Sequence, residues 1–143
     1  MTSQDERIPI GISTCLLGIN VRYNGGHKRD RFILQTLGDY FDYVPVCPEV
    51  ECGMSTPRES MRLVGNEQEY RLMTHTTKLD KTEQMRQWAA QRVKALEEKG
   101  LCGYIFKSKS PSSGLHRVKI YSPDGKRVWN SGRGIWAGIF AEH

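Results

Sequence analysis

Five short apolar runs along the chain alternate with polar loops and amphipathic stretches. Each run spans four to seven residues and contains Ile, Val, Tyr, Phe or Met side chains, which is typical of β-strands. A turn signal at Asn24-Gly25-Gly26 lies between the first two runs, and another at Ser122-Pro123-Asp124-Gly125 follows the last run. The predicted strands are residues 8–14, 40–46, 70–73, 102–107 and 117–121.

Residues 80–99 form the clearest predicted helix. Asp80 is a suitable N-cap, Glu83 can complete a capping box, and Gly100 ends the helix. An apolar stripe at i, i+3 and i+4 spacing should face the core. Its members are Met85, Trp88, Ala89, Val93 and Leu96. Three further helices are predicted: residues 30–37 with Asp30 as N-cap, a helix that starts at Thr56-Pro57-Arg58-Glu59, and a helix within residues 133–143.

The alternation of strand, loop and helix predicts an α/β fold. We expect one domain over residues 1–143, with three layers, a largely parallel sheet and helices on both faces, as in Rossmann-like proteins. In such sheets ligands bind at the carboxyl ends of strands, so loops that follow different strands can converge there. The apolar run from Ile135 to Phe140 suggests that a partner or a downstream domain covers it.

Composition and charge narrow the class of protein. A chain of 143 residues with 38% hydrophobic and 26% charged residues is typical of one globular domain. No segment approaches the roughly 20 apolar residues that cross a bilayer, and the N-terminus has no apolar signal core, so a cytoplasmic protein without membrane contact is expected. The net charge of +5 suits polyanions such as RNA, but it also describes an ordinary solvated surface.

Four cysteines without an export signal favour metal binding or catalysis over disulfides. Cys15 and Cys47 each follow a predicted strand, where a thiolate can face a cavity. Their wide spacing does not match a zinc ribbon, and the absence of a CxxC motif argues against a thioredoxin-like pair. Cys52 follows Cys47 closely, a spacing that is weak evidence for a cluster. Cys102 starts an apolar strand and is expected in the core.

Polar residues accompany these cysteines. Glu49, two positions after Cys47, can shuttle protons or can be a solvated loop residue. Ser110 and Ser113 are candidates for a nucleophile, an anion-binding pair or simple turn residues, and no His–Asp relay for a serine nucleophile is recognisable. The turn at residues 24–29 can bind phosphate through backbone N–H groups, or it can be an ordinary exposed turn.

Five segments, taken in order, resemble the TudS-type thiouracil desulfidases, and the likeness covers roughly residues 8–140. Each segment alone is weak evidence, whereas five in the right order are specific. Residues 130–140 are more similar to the fused form of the family, in which a second, mostly helical domain follows. The segments are Cys15-Leu-Leu-Gly, Arg22-Tyr23-Asn24-Gly25, Val46-Cys47-Pro48-Glu49, Gly53 to Pro57-Arg58, and Lys107-Ser-Lys-Ser-Pro-Ser-Ser-Gly114.

The resemblance implies an α/β domain that holds a 4Fe–4S cluster on three cysteines, with one iron left open. That iron binds the sulfur of a thiolated uracil, water attacks the carbon, and sulfur leaves as hydrosulfide without net redox chemistry. Expected substrates are 2- or 4-thiouracil as the free base, as a nucleotide or within tRNA. The residues implied are Cys15 and Cys47 as cluster ligands, Glu49 and Ser110 as catalytic residues, and Asn24, Gly25 and Ser112 as substrate contacts.

The third cluster cysteine of the family motif, Ser-Pro-Ser-Cys-Gly, is Ser113 in this chain. Thiolate is what holds iron–sulfur centres, so we expect a weakened or absent cluster. Three explanations are open, in this order of preference: an engineered substitution, a natural paralogue without the cluster, and rescue by Cys52 as third ligand. Two other functions also stay open: a non-catalytic nucleotide- or tRNA-binding module, and sulfur transfer through a persulfide on Cys15 or Cys47.

Overall fold

The computed structural model describes residues 7–17, 30, 32 and 37–143. Within these residues the chain forms seven strands and three α-helices, with short 3-10 turns at Thr14–Leu17 and Leu37–Asp39. The strands are β1 (Ile8–Ser13), β2 (Phe41–Val46), β3 (Met61–Gly65), β4 (Tyr70–Thr74), β5 (Gly103–Ile105), β6 (Val118–Tyr121) and β7 (Val128–Gly132). The helices are α1 (Pro48–Glu51), α2 (Thr82–Glu98) and α3 (Ile135–Glu142).

The first sheet is parallel, with β1 between β2 and β5. Consecutive residue pairs join β1 to β2, from Ile8 opposite Phe41 to Ser13 opposite Val46. Parallel pairing places the carboxyl ends of all three strands at one edge of the sheet. The predicted α/β class is confirmed, and these three strands lie within their predicted ranges.

A second sheet has the strand order β4-β3-β6-β7. In it β3 and β6 are parallel, while β4 pairs antiparallel with β3 and β7 pairs antiparallel with β6. The sequence predicts β4 and β6 but neither β3 nor β7. Asn130 and Ser131 give β7 a polar, mostly exposed sequence without apolar alternation, and β3 follows the residues that were predicted to start a helix.

Helix α2 lies where the sequence predicts it, and its apolar stripe is part of the core. Four stripe residues are at most 5% exposed, and Trp88 is partly buried beside them. Full burial of a large apolar side chain contributes about 1.5–3 kcal/mol, so the stripe firmly anchors the helix. The buried members are Met85, Ala89, Val93 and Leu96.

The start of α2 is held differently from the predicted capping box. Asp80 accepts a hydrogen bond from the Thr82 N–H through Oδ1 at 2.9 Å. Glu83 pairs instead with the Arg86 guanidinium at 3.1 Å on the exposed face. The N-cap of α2 is Lys81, which makes no side-chain capping hydrogen bond, so the predicted N-cap is one residue too early, although Asp80 still binds the first turn through the Thr82 N–H.

The first half of the apolar run in α3 is buried in the core of the domain. Trp136 is fully buried, with its ring 4.9 Å from Trp88 and 5.6 Å from Phe140, measured between centroids. Tyr104 of β5 also stacks against this group, at 6.0 Å from Trp136. The first residues of the run are therefore buried within the domain, whereas Ile139 and Phe140 are partly buried, and a downstream helical domain stays a prediction that rests on the resemblance alone.

Two predictions about local structure are wrong. Residues 56–59 form no helix; the Thr56–Pro57 bond is cis, and this segment is a bent loop. Cys102 is exposed rather than buried, because it precedes β5 instead of lying inside it.

The predicted helix over residues 30–37 and the turn at residues 24–29 fall largely or wholly outside the described residues. In the part of the chain that the structure describes, no helix has the length and apolar character that crossing a membrane requires.

Candidate functional site

The three loops singled out in the sequence meet at the carboxyl edge of the parallel sheet. Cys15 lies in the 3-10 turn after β1, Cys47 directly follows β2, and the serine loop, residues 109–114, follows β5. Together they enclose a cavity of about 220 Å³. Ser13 and Val46 are opposite each other in the sheet, so both cysteines leave it at the same level. The predicted site residues that line the cavity are Cys15, Cys47, Glu49, Ser110, Ser112 and Ser113.

The serine loop is folded around one hydroxyl. Ser110 Oγ accepts the Ser113 N–H at 3.0 Å and lies 3.0 Å from Ser112 Oγ. Ser112 and Ser113 are 2% and 3% exposed, so their small exposed surface faces the cavity rather than bulk water. At the start of the loop segment, the Lys107 N–H donates to Ser13 Oγ at 3.0 Å and ties it to β1.

Helix α3 supports the serine loop through the backbone. The Ile135 N–H donates to Pro111 O at 3.2 Å, and the Ala137 N–H donates to Ser112 O at 3.1 Å. Gly134 makes this approach possible, since a Cβ there would lie only 2.4 Å from Ser112 O. The loop is therefore fixed by main-chain hydrogen bonds to a helix whose first turn is buried.

The cysteine turn, residues 47–52, is built around α1. Cys47 is the N-cap residue but makes no side-chain capping hydrogen bond; its N–H donates instead to Glu51 Oε2 at 2.8 Å. Burial raises the pKa of the Cys47 thiol, and the nearby N–H of Val50 opposes that rise only in part. The thiol thus faces the cavity largely protonated until a metal or a base takes its proton.

Glu49 forms an ion pair that sequence reasoning did not identify. Its Oε2 accepts a hydrogen bond from Arg58 Nη2, and the two side chains are only 18% and 7% exposed. Arg58 is anchored in turn by Ser55 O at 3.0 Å and Thr56 Oγ1 at 3.1 Å. A buried charge needs a partner, so a carboxylate at a cavity wall is itself a signal for a nearby cation.

Cys52 does not join the other two cysteines. It does not line the cavity, and its Sγ donates to Glu49 O at 3.4 Å within the turn. Burial, together with the neighbouring Glu49 carboxylate and Cys47, raises the pKa of Cys52 to about 11. Rescue of the cluster by Cys52 as third ligand is therefore not supported by its position.

Two of the side chains that line the cavity are suitable ligands for a 4Fe–4S cluster. Cys15 and Cys47 offer the thiolates that such clusters require, whereas Ser113 offers a neutral hydroxyl. Among the described residues, no group of three or more His, Cys, Asp or Glu side chains is arranged to bind a metal ion. The set is one thiolate short of the three that the resemblance implies.

Other residues at the cavity were not singled out in advance. Lys107 and Lys109 line it beside the serines, and Lys109 adopts the left-handed backbone conformation with φ of +63°. These lysines bring positive charge to the cavity, which suits an anionic group on a ligand. Asn24 and Gly25, predicted to contact substrate, lie outside the described residues.

Comparisons with known proteins identify the family and the fold of this chain. The family model described as 2-thiouracil desulfurase matches residues 10–143. An uncharacterized protein, YbbK of Bacillus subtilis (strain 168), is 34% identical over 127 residues, which is 85% of this chain and 83% of the relative. Among solved structures, the [4Fe-4S]-dependent thiouracil desulfidase TudS has a TM-score of 0.76 at 28% identity, over 96% of this chain and 87% of that one.

Proposed function

Because the chain belongs to the 2-thiouracil desulfurase family, we propose that it is an enzyme for the hydrolytic desulfuration of thiolated uracil. Water would add to the carbon that bears sulfur, its oxygen would stay on the ring, and sulfur would leave as hydrosulfide. No net electron transfer is needed. The observation that supports this most is the meeting of Cys15, Cys47, Glu49 and Ser110 at one cavity.

A 4Fe–4S cluster on Cys15 and Cys47 would supply a soft Lewis acid that favours sulfur and polarises its bond to carbon. Glu49 lies two residues from Cys47 in the same wall, where its carboxylate can take a proton from water. The ion pair with Arg58 holds one carboxylate oxygen, Oε2. Its other oxygen, Oε1, has no hydrogen bond from the described residues and is available to the water.

Ser110 is suited to hold or protonate the substrate. Its oxygen already accepts the Ser113 N–H, so the hydroxyl proton is available to donate to Ser112 or to a bound uracil. Ser112 lies beside it at the cavity wall as the proposed substrate contact. These assignments concern this chain's own side chains and can be tested by substitution.

Ser113 is the residue on which the activity of this chain depends. Since a hydroxyl replaces the third thiolate, we propose that the chain holds its cluster weakly and is impaired. Anaerobic reconstitution with iron and sulfide tests this on the chain as it is and on Ser113→Cys. We expect more iron per molecule in the variant, with sulfide released from a thiouracil. If neither protein binds iron, the enzyme proposal is wrong.

The substrate class extends in our proposal to nucleotides and tRNA. Lys107 and Lys109 at the cavity and the net charge of +5 favour a phosphate-bearing form over the free base. Comparing thiouracil, its nucleoside and its monophosphate in one assay would rank them. A lower KM for the monophosphate that rises with salt supports the lysine contacts, and equal KM values contradict them.

The missing thiolate also favours a second candidate function, a nucleotide- or tRNA-binding module without catalysis. That module would bind RNA in a salt-dependent way with no iron present, and Cys15→Ala would leave the binding unchanged. A gel-shift titration at several ionic strengths tests it. Absence of binding at low salt would remove this candidate.

A further inference from the structure

Two side chains of helix α2 contact the C-terminal end of the cysteine turn. Arg92 Nε pairs with Glu51 Oε1 at 3.0 Å, and Gln84 Nε2 donates to Cys52 O at 2.9 Å. Glu51 in turn accepts the Cys47 N–H through Oε2 at 2.8 Å and so connects this end of the turn to its start. Gln84 and Arg92 lie roughly two helical turns apart, so both project from the same side of α2 toward the turn.

The helix is a firm support for these contacts. Val93, the residue after Arg92, is 5% exposed and belongs to the buried stripe. The Arg92 and Glu51 side chains are 22% and 30% exposed, so their ion pair is partly shielded from water. The buried stripe thus fixes the position of Arg92. Because Arg92 pairs with Glu51, and Glu51 accepts the Cys47 N–H, the backbone of Cys47 is fixed as well.

We propose that Arg92 is a positioning residue for Cys47, acting through Glu51. Cys47 makes no side-chain cap to α1, so the carboxylate of Glu51 restrains its backbone in place of a cap. Without Arg92, Glu51 loses its charge partner and the start of the turn opens more often, which moves the thiol. The proposal rests on the proposed function only for the role given to Cys47; the placement of the thiol is measurable without any cluster.

The test compares three variants of one helix. Arg92→Met keeps the aliphatic stem but removes the charge, and Arg92→Lys restores the charge. Arg86→Met is the matched control, because Arg86 pairs with Glu83 on the exposed face and makes no hydrogen bond or ion pair with residues 47–52. The readout is the rate of Cys47 alkylation by iodoacetamide relative to the exposed Cys102 of the same molecule, from peptide mass spectrometry.

We expect the ratio to rise about fivefold in Arg92→Met, as when an opening equilibrium loses one partly shielded ion pair. Arg92→Lys and Arg86→Met should stay near the parent value. A ratio in Arg92→Met equal to that of Arg86→Met overturns the proposal. If Arg92→Met fails to fold, Glu51→Gln keeps an acceptor for the Cys47 N–H but loses the charge; it should raise the ratio less, and no rise overturns the proposal.

A second measurement separates this inference from the proposed function. In the Ser113→Cys background, iron retained after reconstitution and gel filtration should fall when Arg92→Met is added and recover with Arg92→Lys. If the Ser113→Cys protein binds no iron but Arg92→Met still exposes Cys47, the enzyme proposal fails and the positioning role stands. If iron binds while the Cys47 ratio does not move, only the positioning role fails.

Discussion

The serine loop and the cysteine turn form two walls of one cavity, but they are fixed by different forces. Backbone hydrogen bonds from α3 hold the serine loop, at 3.2 Å to Pro111 O and 3.1 Å to Ser112 O. Side-chain contacts hold the cysteine turn: Arg58 pairs with Glu49, and Arg92 pairs with Glu51. One wall therefore depends on close main-chain approach, and the other depends on charge.

This difference bears on what each wall tolerates. Backbone contacts do not depend on the identity of the side chain, so position 113 can change from cysteine to serine without altering how the loop is held. A carboxylate such as Glu49 has no such freedom, because its loss leaves the guanidinium of Arg58 buried without that partner. Side-chain substitutions within the serine loop should thus be tolerated, whereas substitutions that remove a charge at the cysteine turn should be destabilising.

The largest effect should come from Trp136→Ala, which removes the anchor of α3. Trp136 is 0% exposed within a cluster of aromatic rings, and truncation of such a residue costs about 3–5 kcal/mol. Denaturant unfolding with intrinsic fluorescence measures the change. Val128→Ala, at a residue 43% exposed, is the control and should be near neutral. A small loss in Trp136→Ala would show that the serine loop does not depend on this helix.

Arg58→Met should be next, with a loss of about 3 kcal/mol, since Glu49 remains mostly buried without its partner. Arg71→Met is the comparison, because its pair with Asp80 is 38% exposed on both sides and should contribute far less to stability than the buried pair. Urea unfolding of both variants gives the difference. The double variant Glu49→Gln/Arg58→Met should recover part of the loss; equal losses in both single arginine variants would show that the wall is not charge-sensitive.

Gly134→Ala should cost about 1–3 kcal/mol, because its Cβ would approach Ser112 O to 2.4 Å and push the loop away from α3. Gly103→Ala is the matched control, since the nearest atom to a Cβ there is a side-chain carbon of Ile10 at 3.5 Å. Thermal unfolding of the pair measures it. If both glycine variants behave alike, the close backbone approach is not what holds the serine loop.

The smallest effect concerns pH and the start of α2. Burial acts to raise the pKa of Asp80, but hydrogen bonds from Thr82 and Arg71 outweigh it and hold the pKa below its usual value. A carboxyl with a lowered folded pKa stabilises the protein above its ordinary pKa and loses that contribution as the pH falls through the folded value. The contribution should be below about 1 kcal/mol because the side chain is partly exposed.

Asp80→Asn tests this contribution. The variant should unfold at lower denaturant concentration than the parent at neutral pH, and the two midpoints should converge as the pH falls through the lowered pKa of the folded-state carboxyl. A constant difference down to the lowest pH would assign the effect of the substitution to the neutral hydrogen bonds rather than to the charge.

The sequence predicted the parallel sheet and the meeting of the cysteine and serine loops because both follow from local patterns. Cys15, Cys47 and Ser113 each come after an apolar run, and strand ends in a parallel sheet share an edge. The role of Arg92 could not be predicted from the sequence, because its partner Glu51 is remote in sequence and lies beside it only through the packing of α2. The prediction for Cys102 is wrong because the predicted strand begins at residue 102, whereas β5 begins at Gly103 and leaves the Cys102 thiol exposed.

The register between β1 and β2 limits how the family can evolve. From Ile8 opposite Phe41 to Ser13 opposite Val46 the two strands pair without interruption, and a cysteine follows each within two residues. Deleting one residue inside either strand would move its cysteine by about 3.3 Å along the sheet or turn it to the other face. Insertions and deletions between relatives should therefore accumulate in connecting loops, and these two strands should keep their length even where their sequences diverge.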